Sequence, residues 1–201
     1  MKKYEFTGET KQVGFFGNIT LKRIRATMEF GIIKIGDLGG WIEKEENLSH
    51  KGDAWVWGNA EVYGDAEVYG DAEVYGNAEV WGNAKVYGDA EVYGNAEVWG
   101  NAKVWGNAKV WGNAKVWGNA EVFSISHVLV VGPIGSRNDF TTFFRDKDSE
   151  ITVKCGCFLG KIDKFLEKVC ETHGDSKYAI VYRTAAEIAK QQIDLSEEKQ
   201  L

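Results

Sequence analysis

Between Gly52 and Phe123 the apolar and polar positions keep a six-residue beat. The unit Gly-[Asn/Asp]-Ala-X-Val-aromatic occurs twelve times without a slip, with glycine at 52, 58, 64 and onward to 118. Val and Ala are two apart, so on an extended segment they share a face, and the aromatic that follows each Val points the other way. Twelve glycines in 72 residues argue against a helix. The apolar content argues against a disordered tract. The pattern predicts short strands separated by Gly-Asx corners, because Gly and Asn/Asp accept backbone conformations that other residues avoid.

This unit resembles the hexapeptide repeat of left-handed parallel β-helices. In that architecture each hexad forms one flat side, and three hexads close a coil of about 18 residues. Val56, Val62 and their successors then fill the core, and Ala54, Ala60 and Ala66 sit where the corner narrows. Past the perfect tract, Val128 and Ile134 continue the Val positions, and Ser126 and Gly132 the small ones. Before it, Ile42 and Leu48 are six apart and fall in the Ala register. The expected fold is mainly β, a left-handed parallel β-helix of about five coils, four ideal and one degenerate. The expected division is residues 1–47 as an N-terminal β cap, 48–135 as the β-helix and 136–201 as a small C-terminal ββαα module. The caps have a purpose, since a stacked parallel sheet exposes unpaired edges.

A period of 18 sorts the outward residues into columns. Trp57, Tyr75, Tyr93 and Trp111 form one, Tyr63, Trp81, Trp99 and Trp117 another, and Tyr69, Tyr87, Trp105 and Phe123 the third. Neighbouring coils lie about 4.8 Å apart, so the rings are expected to stack along the axis. Asn59, Asn77, Asn95 and Asn113 make a pure Asn column suited to side-chain hydrogen bonding. Glu61, Glu79 and Glu97 superpose, followed by Lys115. The aromatic columns have a structural reading, as covers for corners and surfaces for packing subunits, and a ligand-binding one.

In the last third, residues 137–145 and 151–158 are two β-rich runs around the polar turn Asp146–Glu150, which predicts a hairpin. Ile162, Phe165, Leu166 and Val169 follow the i, i+3, i+4, i+7 spacing of an amphipathic helix. Thr172–Ser176 ends it, and Asp175 or Ser176 is placed to cap a second helix running to about Ile193.

Net charge changes the picture of possible partners. The chain of 201 residues carries a formal charge of −6. Residues 52–123 hold four Lys against eleven Asp/Glu, while both flanks are near neutral. Duplex nucleic acid is therefore not an expected partner. No apolar run approaches the roughly 20 residues of a membrane span. The start MKKYEFTGET has no apolar stretch of the kind a secretory signal needs. Three cysteines, an odd number, point to a reducing compartment, and the cytoplasm is the expected location.

Hexapeptide-repeat proteins are best known as acyltransferases, which carry a His base beside a loop that breaks the repeat. Here no His lies between Lys51 and Ser126 and no loop interrupts the coils. His50, His127 and His173 stand outside the perfect tract, and their spacing does not resemble the three converging His of the metal-dependent carbonic anhydrases of this fold. An enzyme is not expected, and an acyltransferase using His127 is the remaining catalytic alternative. Cys155, Cys157, Cys170 and His173 offer a Cys3His set of the type zinc uses. Yet Cys-X-Cys is tighter than the usual gap, and alternation places Cys155 and Cys157 on one strand face as packed thiols. No metal and no cofactor is expected. Arg137, Thr141, Thr142, Arg145, Lys154, His173 and Lys177 form the candidate ligand site, since guanidinium and hydroxyl donors suit a phosphate. Its alternative is an ordinary solvated cationic surface.

Leu38–Ser49 (LGGWIEKEENLS), the hexapeptide tract, Thr141–Arg145 (TTFFR), Val153–Phe158 (VKCGCF) and Thr172–Tyr178 (THGDSKY) together resemble a family encoded by phages and prophages of Gram-positive hosts. That family has no established activity. The resemblance implies a non-enzymatic binding protein in the host cytoplasm. Left-handed β-helices commonly pair side by side, which implies a homotrimer. The expected ligand is a small anionic, nucleotide-type molecule, a host immune signal that the protein sequesters. The alternative is a structural or assembly scaffold that binds a host protein.

Overall fold

The computed structural model describes residues 2–14 and 16–196. It is mainly β, with a solenoid of about five coils as its long central body. Twelve strands of two to four residues, β4 (Trp55–Val56) through β15 (Glu121–Val122), carry the repeat, one to each hexad. They stack in parallel on three faces, with Val92 between Val74 and Val110 on one of them. The ladder runs from each hexad to the coil above: Glu61 N–H donates to Ala78 O at 2.9 Å and Tyr63 N–H to Val80 O at 3.0 Å. The Val and Ala side chains are buried along the whole axis. This is the left-handed β-helix that the hexads predict.

Inside the stack the corner favours glycine for two separable reasons. Gly76 has φ +75°, a left-handed conformation, and a Cβ built there would lie 3.0 Å from both N and O of Gly94 in the next coil.

At the N-terminal end, β1 (Tyr4–Val13) and β2 (Ile19–Ala26) form an antiparallel hairpin, and β2 pairs with β3 (Leu38–Ile42). β3 turns parallel onto Glu61–Val62, so that hairpin and solenoid share one seven-stranded sheet. Here the register departs from expectation. Ile42 stands opposite Val62 and Leu48 opposite Val68. Both therefore occupy Val positions, not Ala positions. Two extra residues fall between Leu48 and Val56, in the turn Ser49–Asp53, and counting sixes through that turn misplaces everything before it. Gly40 takes the Ala position instead. A Cβ there would meet Ala60 O at 2.6 Å and Val56 Cγ1 at 2.8 Å. Trp55, at the one X position that is not charged, is buried under Tyr4 and Phe30 and closes the coil end.

At the other end the expected continuation through Val128 and Ile134 holds only for Val128's burial. Ser124 occupies the position where the next corner glycine would fall. It caps a short 3-10 turn, Ile125–His127, accepting from Ser126 N–H. The chain then leaves the coil as β16 (Val128–Ile134), antiparallel to β17 (Asp139–Arg145). Val128 still packs in the solenoid core, with Phe144 of β17. β18 (Ile151–Cys155) and β19 (Phe158–Lys161) complete a four-stranded antiparallel sheet. The predicted hairpin is its centre, widened by a strand on each side. Helices α1 (Ile162–His173) and α2 (Lys177–Gln192) cover the far face, with Ser176 capping α2 through Ala179 N–H. A second core lies between sheet and helices, built on Phe143, Val153, Phe165 and Tyr182. Among the described residues no helix is long and apolar enough to cross a membrane.

Candidate functional site

The aromatic columns face outward and stack as predicted. Tyr75 and Tyr93 have centroids 4.7 Å apart and planes within 2°. Trp81 and Trp99 are at 4.4 Å and 3°. Inside the columns the rings spend their flat faces on one another, whereas Trp99 and Trp117 meet edge to face at 70° and Trp111 at a column end is 40% exposed. Two Asn ladders hold the corners: Asn59 to Asn77 to Asn95 to Asn113, at 3.2–3.3 Å, and Asn83 to Asn101 to Asn119, at 3.1–3.2 Å. In the Glu column, Lys115 binds Glu97 at 2.7 Å and Lys11 of β1 binds Glu61 at 2.7 Å. Glu79 sits between them, its pKa raised by burial and by Glu61 and Glu97.

The seven candidate ligand residues divide between the two sides of the sheet, by strand alternation for Thr141 and Thr142, while Arg145 at the end of β17 turns to the last coil against that alternation. Phe144 points into the solenoid and Phe143 into the helical side. Thr142 goes with Phe144, its hydroxyl accepting Lys115 N–H at 2.9 Å. Lys154, opposite Thr142 on β18, sets its ammonium 3.9 Å from the Trp117 ring centroid and donates to Gly156 O. Burial, then the Lys115 charge, lowers its pKa. Arg145 lies over Phe123 at 4.8 Å and donates to Ser149 Oγ at 2.6 Å. These three side chains are buried. They fasten the C-terminal module onto the last coil, so these three of the expected ligand residues are enclosed in that seam, and neither the ligand site nor its solvated-surface alternative describes them.

Asp146, the residue after β17, is the hub of the following turn. It accepts from Asp148 N–H, Glu150 N–H, Thr152 Oγ1 and Lys161 Nζ at 2.5–3.2 Å. Burial pushes its pKa up, and these donors outweigh it, leaving the carboxyl below its ordinary value.

Thr141 faces the helices, where sheet and helices leave a crevice of about 310 Å³. Of the predicted set, Arg137 and His173 line it, joined by Lys168. Phe158, Phe165 and Tyr182 form aromatic walls, and Cys155 and Cys157 lie at one end. Thr141 Oγ1 donates to Cys155 Sγ at 3.2 Å, and Arg137 Nη1 approaches Cys157 Sγ at 3.9 Å. The Tyr182 hydroxyl lies near Cys155, and burial, then Cys155, raises its pKa. Gly135 leaves the room that this hydroxyl occupies. His173 stacks on Tyr182 at 5.7 Å. Lys177 is apart, over the Tyr178 ring at 5.1 Å.

Cys170 does not line the crevice. Among the described residues no three His, Cys, Asp or Glu gather closely enough to hold a metal. The helical walls were missed in the sequence: Phe165 was legible as a core position, but nothing marks Lys168 or Tyr182 as facing a cavity. Of the other histidines, His127 is fully buried, its Nδ1 accepting Phe123 N–H at 3.3 Å. His50 stacks on Tyr4 at 4.4 Å in the N-terminal cap.

Searched against models of known families and against curated proteins, the chain matches none.

Proposed function

We propose that the protein is a non-enzymatic binding scaffold, and that the crevice between the C-terminal sheet and its helices takes a small anionic molecule with a ring, of nucleotide type. The observation that carries this reading is the lining. Arg137, Lys168 and His173 ring a space with aromatic walls. Among the described residues Arg137 forms no ion pair, so its charge is available to an anion, and a guanidinium presents donors in a fork that fits phosphate. The volume matches the lower end of small-ligand sites, about 300–1,000 Å³. The site therefore shifts from the seven residues first grouped to Arg137, His173 and the helical walls. The phage-family resemblance adds the context: a bacterial cytoplasm, a homotrimeric assembly and a host immune signal as the cargo.

The reading leaves out turnover for a physical reason. An acyltransferase base must touch its substrate, and His127 is enclosed. Native mass spectrometry of protein purified from bacterial lysate, followed by calorimetric titration with a panel of cyclic and ADP-ribose-type nucleotides, tests the proposal. Binding that Arg137→Ala weakens by about tenfold or more, roughly the value of one charge-assisted contact, supports it. No retained mass and no binding across the panel would remove it.

A second reading, a protein-interaction scaffold, has its own observation. Ile180 and Ile188 are 57% and 49% exposed on α2, two turns apart on one helical face. Stable capture of one host protein, lost in Ile180→Glu with Ile188→Glu, would favour it.

A further inference from the structure

We propose that Cys157 is a nucleophilic thiol that reacts with small-molecule disulfides, and that Cys155 resolves the adduct, making this end of the crevice a redox-modification site. The inference does not rest on the anion-binding reading. Cys155 and Phe158 are a paired position at the β18–β19 turn, so Gly156 and Cys157 are its two central residues. Gly156, at φ +54°, supplies the left-handed first position that such a turn favours. Cys155 precedes this centre and Cys157 is its second residue, so only Gly156 separates them, and the bend there keeps their Cα atoms below the extended two-residue span of about 7 Å, close to the roughly 4.4–6.8 Å that a disulfide bridges. Both sulfurs line the crevice and both are free thiols.

The surroundings of the two sulfurs differ in a way that assigns their roles. Cys157 is exposed, with Arg137 Nη1 3.9 Å from its Sγ and the Lys154 ammonium close enough to feel its charge. A Cβ on Gly156 would come within 3.0 Å of that same Nη1, so the glycine is also what admits the guanidinium. Thiol–disulfide exchange spreads a negative charge over the attacking, central and leaving sulfurs. A guanidinium beside the attacking sulfur stabilises that charge. Cys155 is half-buried and already engaged by the Thr141 hydroxyl, 3.2 Å from its Sγ. It is shielded from a first encounter and held next to the adduct. Cys170 is an exposed thiol on α1 outside the crevice and serves as an internal control.

The chemistry balances. The Cys157 thiolate attacks one sulfur of a disulfide RSSR, forming Cys157–S–SR and expelling RS⁻, which takes a proton from water. Cys155, having released its proton to water, attacks Cys157 Sγ and expels the second RS⁻, which is protonated in turn. The Cys155–Cys157 bond forms, the two thiols lose two electrons, and RSSR becomes two RSH. The oxidant is a low-molecular-weight disulfide such as oxidised glutathione.

The full chain is treated with oxidised glutathione, quenched with acid at intervals, and read by intact mass and peptide mapping. The expected result is modification at Cys157 about tenfold or more faster than at Cys170. In the wild type the adduct resolves to a species about 2 Da lighter than the reduced chain, localised to the Cys155–Cys157 peptide. Cys155→Ser should trap a stable glutathione adduct on Cys157. Arg137→Ala should bring Cys157 down to the Cys170 rate and leave Cys170 unchanged, and Arg137→Lys should restore part of the difference. Equal rates at Cys157 and Cys170 in the wild type, or a wild-type adduct that persists as it does in Cys155→Ser, would overturn the proposal. Neither result touches nucleotide binding, which is measured on the reduced protein.

Discussion

The ammonium of Lys154 lies 3.9 Å from the ring centroid of Trp117, the last indole of its column. One residue comes from the antiparallel sheet and the other from the final coil, so this pair is part of the seam between the two cores. Desolvated cation–π contacts are worth about 2 kcal/mol, against which stands the burial that lowers the Lys154 pKa. Lys154→Ala is expected to cost about 1–2 kcal/mol, because it removes both the charge and the stem that covers the indole. Lys154→Met keeps the stem and sheds the burial cost, and should stay within about 1 kcal/mol of wild type. Urea denaturation followed by tryptophan emission measures both. Equal losses would mean that the charge, not the packing, holds the seam.

Stability should rise with pH on the alkaline side of neutrality. Lys3 is buried beneath the first coil, donating to Ala54 O at 2.7 Å, and burial lowers its pKa to about 8 against the opposite pull of Asp53 and Asp71. Below that value the ammonium is charged in folded and unfolded chains alike. Between about 8 and the ordinary 10.5 the unfolded chain holds a proton that the folded one has released, so stability climbs across that window. Burial, then Glu45 and Glu46, raises the Tyr4 pKa above its ordinary 10.0. The unfolded chain then loses that phenol proton first, and stability falls above about pH 10. Urea midpoints from pH 7 to 11 should show a maximum between these limits, and Lys3→Met should flatten the rising limb. A wild-type profile that falls steadily from pH 7 would contradict the assignment.

How much of this was legible in the sequence depended on whether the period held. Wherever Gly-Asx-Ala-X-Val-aromatic repeats, residue number alone gives face, column and neighbour, down to the Tyr75–Tyr93 stack and the Asn59–Asn113 ladder. The errors begin where one turn changes length. Two extra residues at Ser49–Asp53 moved Ile42 and Leu48 from the Ala to the Val register, and nothing local in that turn announces its length. Helices α1 and α2 were readable from apolar spacing and the Ser176 cap. The candidate site was not, because alternation fixes which face of β17 a residue takes but not what covers that face. Thr142 and Lys154 were readable as polar donors. That the last coil buries them, while Arg137 and His173 line the crevice, is a tertiary fact.

The two costs of a corner side chain separate at two glycines. Gly76 has φ +75° and a neighbouring coil 3.0 Å from a built Cβ, whereas Gly58 has φ +56° and nothing within 4 Å. Gly58→Ala should therefore carry only the left-handed penalty of about 1–2 kcal/mol. Gly76→Ala adds a clash with Gly94 backbone that can be relieved only by separating coils, and should cost at least about 1 kcal/mol more. Thermal and urea unfolding of both variants give the comparison. Equal costs would show that coil stacking yields easily at the corners.

Asp146 governs the acid limb. Its buried carboxyl accepts four hydrogen bonds, including Lys161 at 2.7 Å, and its folded pKa lies below its ordinary value. Such a group stabilises the fold fully above the unfolded pKa and loses that contribution as pH falls through the folded one. Glu73 works in the opposite sense. Its pKa is raised by burial and then by Glu91, so protonating it favours the folded chain and partly offsets the loss. Asp146→Asn keeps the shape and removes the charge, leaving the Lys161 ammonium without its most buried partner and turning an amide N–H₂ toward donors. We expect a loss of about 2–3 kcal/mol at pH 7, with an acid limb shallower than that of the wild type. Because Asp146 also bridges to Ala120 of the last coil, the variant should expose the module before the solenoid. Hydrogen exchange at pH 7 would then speed up in β17–β19 while the Val ladder stays protected. Uniform acceleration through both would mean that solenoid and module open as one unit.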